Sequence, residues 1–180
     1  MSMDKSVVGR LVHRLAKYVA VAGGLAMMAI VALIVISVIG RALLWAGLRP
    51  ITGDYEIVEA AVGFAIFAFL PWAHLTGGHA IVSIFTDFLN ARVNAWIIVV
   101  SDALMLAAGT FIAWRHWLGM IDKYNYGETT LLLRMPLWWS YAAGMVGAAA
   151  FVIVAAYVLA RSLADATSAN PAHPTQGMVL

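Results

Sequence analysis

From Tyr18 to Gly40 the chain runs for 23 residues without one charged side chain. As an α-helix this stretch is about 34 Å long, a match for a hydrocarbon core of roughly 30 Å. A cleavable leader has an apolar region of only about 7–15 residues, so the segment is expected to stay as an anchor. Composition extends the inference to the whole chain: 63% of the 180 residues are hydrophobic, 11% are charged, and mean hydropathy is +0.89. Soluble domains carry about 25% charged residues. A soluble enzyme and a disordered chain are both excluded, and a membrane-embedded protein remains. The chain has no cysteine, which excludes disulfide scaffolds, thiolate metal sites and cysteine nucleophiles. Eleven Lys and Arg against nine Asp and Glu are spread over the sequence and form no nucleic-acid footprint.

Three more spans follow, giving an all-α integral membrane protein with expected spans at about 18–40, 55–74, 93–114 and 138–160. Between spans two and three, Ile81, Ile84, Phe85 and Phe88 fall at i, i+3, i+4 and i+7, the pattern of a short helix in the interface plane. Beyond span three, Trp114, Trp117, Leu118, Ile121 and Tyr124 keep an apolar stripe that ends near Gly127 and reads as a second amphipathic connector. A re-entrant chain from Glu128 through Arg134 leads to Pro136. The membrane domain is expected over 1–165. The segment after Arg161 has no apolar periodicity, and 166–180 is expected as a disordered tail. Lys5, Arg10, Arg14 and Lys17 precede the first span against Asp4 alone, which favours a cytoplasmic N-terminus and, with four spans, a cytoplasmic C-terminus. All seven tryptophans sit near span ends, as an aromatic belt requires.

Few polar groups are available for chemistry. Asp102 interrupts span three near its middle, and a charge at bilayer centre costs about 2.5–3.5 kcal/mol on insertion scales. It is expected to make a polar contact with another helix or a neighbouring subunit, with Ser101 as a candidate intermediary. The alternative is a proton or ion relay in a small self-associating channel or carrier. Arg41 ends span one where Asp54, Glu56 and Glu59 open span two, and an Arg41–Glu59 pair is expected, with a cation-binding outer face as the alternative. Glu56 and Glu59 share a helix face. His74 and His79 are five apart, not the four that metal ligation on one helix face wants, so no metal site is assigned. No histidine sits mid-span to hold a haem, no nucleophile–base pairing occurs, and there is no Gly-rich phosphate loop. The chain is expected to be no enzyme and to bind no cofactor. Small residues recur four apart at Ala20/Gly24, Ala103/Ala107, Ala143/Gly147 and Gly144/Ala148, spacings that let helix backbones approach closely in lipid.

Several short pieces then recur in a telling order: Arg41; Gly53-Asp54-Tyr55-Glu56 with Glu59; Pro71-Trp72; Gly77-Gly78-His79; Tyr126-Gly127-Glu128-Thr129-Thr130; and Pro136-Leu137-Trp138-Trp139-Ser140-Tyr141. Together with four spans and two connectors, this order resembles the small membrane subunit (DctQ-type) of tripartite ATP-independent periplasmic (TRAP) transporters over nearly the whole chain. It departs from the family pattern after Gly-Gly-His, where Ile81 and Ser83 replace a basic and an acidic residue. The resemblance implies a scaffold in the bacterial inner membrane that clamps a large DctM-type membrane subunit. That partner would carry out sodium-coupled uptake of an organic acid captured by a periplasmic substrate-binding protein. Further implications are lipid at the interface, no nucleic acid, and Arg49, Asp54, Arg115, Lys123 and Glu128 as outward charges that meet the binding protein.

Overall fold

The computed structural model describes residues 7–77 and 91–167. Four long helices account for most of them: α1 (Val7–Ala42), α2 (Asp54–Leu75), α3 (Ala91–Tyr126) and α4 (Trp138–Thr167), with a short 3-10 turn at Leu44–Ala46 after α1. All four are long and apolar enough to cross a membrane. The chain is an all-α multi-pass membrane protein. The expected connector around 81–88, together with Gly78 and His79, lies outside the described residues.

The helices outrun the expected spans where their ends find packing partners. α1 starts eleven residues before Tyr18 because Val12 and Ala16 are buried in a cluster with Val154 and Tyr157, against which Trp72 and Leu75 also pack. α3 continues through the Trp114–Tyr124 stripe without interruption and ends at Tyr126. Gly127 (φ +63°) then turns the chain, with Gly127 N–H donating to the Tyr124 carbonyl and Glu128 N–H to that of Lys123. α4 runs past Arg161 through Ala166 and Thr167, the first two residues of the expected tail. Ala166 is buried, and Ser162, four residues earlier, faces a neighbouring helix. Two inward residues one turn apart suffice to hold the helix, although the sequence there shows no apolar period.

α4 is the centre of the packing. It lies against both α2 and α3, α2 also packs on α1, and α1 meets α4 only lightly, so the neighbour order is α1, α2, α4, α3. Glycines make the contacts close. A Cβ at Gly23 would stand 2.8 Å from that of Ala68, joining α1 to α2. One at Gly147 would stand 2.5 Å from the Phe67 carbonyl carbon, joining α4 to α2 backbone to backbone. Of the four small-residue pairs, Gly144/Ala148 and Gly147 of the third pair face the bundle interior. Gly24 has nothing within reach of an added Cβ, and Ala103 and Ala107 are exposed. The outer helices show broad apolar surfaces, with Leu25, Met28 and Val31 of α1 and Val93, Val100 and Leu104 of α3 all exposed.

Candidate functional site

The polar side chains gather at the bundle end where α1 finishes, α2 and α4 begin, and the 127–137 loop closes over α3. Asp54, in the first turn of α2, accepts a 2.5 Å hydrogen bond from the buried Ser37 hydroxyl and forms an ion pair with Arg41 at 3.7 Å. The expected Arg41–Glu59 pair is not formed. Asp54 is nearer in the chain and already turned towards α1 by Ser37, whereas Glu59 lies more than a turn further along α2 and is exposed. Arg41 is itself largely exposed, and exposed ion pairs contribute little. Ser37→Ala is therefore expected to lower the thermal midpoint in detergent by several degrees, and Arg41→Ala by about 2 °C at most. Only the second effect should shrink with added salt.

Glu56 does what sequence reasoning missed. Its buried carboxylate accepts the backbone N–H groups of Leu132 (2.7 Å) and Leu133 (2.9 Å), fastening α2 to a loop 76 residues away. The loop is ordered by its own bonds as well. Thr130 N–H donates to the Met135 carbonyl, Leu137 N–H to the Glu128 carbonyl, and Met135 N–H to the Thr130 hydroxyl, while Arg134 takes a left-handed turn at φ +52°. Gly53 completes the junction. Its φ of +76° disfavours any side chain, and a Cβ there would stand 2.6 Å from Leu133 Cγ. The Gly53 and Glu56 of the sequence motif are thus one device: the glycine lets Leu133 close in and the carboxylate pins the chain beside it.

Beneath this loop lies a cleft of about 450 Å³, lined by Tyr55, Glu59, Gly63 and Phe67 of α2, His116 of α3, and Ser140, Tyr141 and Gly144 of α4, among others. The His116 ring stacks on Tyr141 and its Nε2 lies 2.9 Å from the Tyr141 carbonyl, tying α3 to α4 along the floor. No group of three or more potential metal ligands occurs among the described residues.

The remaining expected site residues divide. Lys123 and Glu128 form an ion pair with each other at 2.6 Å, and Asp54 is committed to Ser37 and Arg41. Arg49 and Arg115 are exposed and have no ion partner among the described residues. Pro136 pairs with Thr129 in an isolated bridge, and Trp138 opens α4 with its ring edge-on to Tyr124. Asp102 makes the expected helix–helix contact, but its partner is Ser162, whose hydroxyl donates to it. Ser101 is exposed and plays no part. Ser162 lies in the last two turns of α4 and Asp102 a third of the way along α3, so this contact ties the two helices at the end of the bundle away from the pinned loop.

Residues 30–165 match the family described as tripartite ATP-independent periplasmic transporters, DctQ component. The chain belongs to this family. The match begins inside α1 and ends inside α4, so it takes in the last third of α1, the whole of α2 and α3, nearly all of α4, the Ser37–Arg41–Asp54 junction, the Glu56-pinned loop and the cleft. No curated protein and no solved structure matches the chain. As a DctQ component it is the small membrane subunit of a TRAP transporter, a part that works with other components of the same system.

Proposed function

We propose that this DctQ component is a scaffold that holds the large DctM-type subunit in the bacterial inner membrane. The large subunit would carry out sodium-coupled uptake of an organic acid delivered by a periplasmic binding protein. One observation carries the reading: most of the polar side chains that join the described helices are spent on tying the bundle together, while its outer helices leave broad apolar faces uncovered. Ser37, Asp54, Glu56, His116, Asp102 and Ser162 all bond within the chain. A frame of this kind gives a moving partner something fixed to move against. The cationic first turns of α1 favour the cytoplasm for that end by the positive-inside rule, and the pinned loop would then face the periplasm. There Arg49 and Arg115 would be among the charges open to the binding protein. Asp102 accepts a hydrogen bond from Ser162, which favours a helix-joining role for it over a place in a channel formed by this chain alone.

The test is purification of the protein from its native membrane in mild detergent. A stoichiometric, much larger multi-span partner is expected. Recovery of this chain only with itself, together with conductance or uptake by the purified chain, would overturn the reading.

A further inference from the structure

The cleft under the loop holds a carboxylate that nothing in the chain answers. Glu59 is exposed and has no hydrogen bond or ion pair among the described residues. It belongs to a membrane-spanning helix, about 7 Å from the start of α2 at 1.5 Å per residue. Once a partner subunit covers it, an ionised carboxylate is costly unless it is paired. One turn further along the same face comes Gly63, which also lines the cleft and where an added Cβ would meet nothing within 4 Å. A glycine inside a helix costs about 1 kcal/mol relative to alanine. Gly23 and Gly147 offset that cost with close contacts inside the bundle, and Gly63 has no such contact. A negative charge and a notch below it thus line the cleft together.

We propose that the Glu59–Gly63 notch receives a basic side chain, Arg or Lys, of the large membrane subunit, with the cation on Glu59 and the apolar stem against Gly63 and Phe67. This rests on the scaffold reading above. Three features select the occupant. The notch opens along a helix long and apolar enough to cross the membrane, the kind of surface that a second membrane subunit covers. The lining has two carboxylates, Glu56 and Glu59, and neither Lys nor Arg, so the phosphate of a phospholipid headgroup would meet like charge. Glu56 is already engaged by Leu132 and Leu133, which leaves Glu59 as the unanswered carboxylate of the cleft.

The experiment is co-purification of the two membrane subunits with wild-type, Glu59→Gln, Glu59→Lys and Gly63→Leu small subunits, with bound phospholipid counted in each complex. Retention of the large subunit is expected to fall about tenfold or more in Glu59→Gln, as for truncation of one member of a buried charge pair, and further in Glu59→Lys. Gly63→Leu should have a similar effect while the thermal midpoint of the isolated small subunit stays unchanged. Reversal of each Arg and Lys of the large subunit to Glu, against Glu59→Lys, should identify one change that restores the complex. Wild-type retention in Glu59→Lys, or a loss that no reversal restores, overturns the proposal. A complex that stays intact in Glu59→Gln but loses phospholipid makes the cleft a lipid site and also overturns it. Failure of the wild-type chain to retain any large subunit defeats the scaffold reading instead.

Discussion

Glu56→Ala is expected to release the 127–137 loop while the helices stay in place. The two amides that the carboxylate accepts are backbone groups of consecutive residues, and no other acceptor is in contact with them. Removing it leaves both donors without a partner beside the buried junction, the costly way to lose a hydrogen bond. Hydrogen exchange at Leu132 and Leu133 should accelerate by about tenfold or more, because the loop then opens locally without global unfolding. Glu56→Gln keeps one acceptor oxygen and should retain protection at one of the two amides. Exchange followed by mass spectrometry, with peptides ending on either side of Leu133, reads this directly. Unchanged protection in Glu56→Ala would mean that the bonds within the loop hold it unaided.

The second large effect is at Gly147. A Cβ there would meet the Phe67 carbonyl carbon, the Phe67 oxygen and the Ala68 nitrogen at 2.5, 2.6 and 2.8 Å. All three are backbone atoms of α2, so no side chain can swing aside. Gly147→Val must separate α2 from α4, and a loss of about 3 kcal/mol or more is expected. Detergent unfolding curves should show it, and much of the protein should fail to accumulate in the membrane. Gly109→Ala is the informative comparison. Its clash is with the Phe151 ring, a side chain that can rotate, so a smaller loss is expected. Equal losses at both positions would contradict the distinction between backbone and side-chain obstruction.

The four helices were legible because hydropathy is a local property: each span is written in its own twenty-odd residues. The partners of the polar groups were not, because they depend on how far one helix slides along another. Arg41 had three carboxylates within reach on paper, and Ser37, inside an apolar run, gave no sign that it would draw Asp54 to α1. Glu56 answers backbone amides, which look alike in every sequence. The partner of Asp102 was open between another helix and a neighbouring subunit, and Ser162 meets it only in the register that α3 takes against α4, where Gly109 also lies against Phe151. Glycines were readable as packing positions but not by destination: Gly23 and Gly147 serve this bundle, while Gly24 has open space beside it and Gly63 lines the cleft.

The 22 residues of α2 also fix something for the surrounding bilayer. The helix is about 33 Å long, against about 54 Å for each of the 36-residue α1 and α3. Left-handed glycines stand at both of its ends, Gly53 at φ +76° and Gly77 at φ +68°, so it cannot gain a turn at either one. Held between α1 and α4, it cannot lean independently to absorb a change in thickness. A thicker membrane must therefore thin locally around α2 or tilt the whole bundle. The shortest helix sets the hydrophobic span of the protein, and lipid chain length becomes a variable that its assembly will sense.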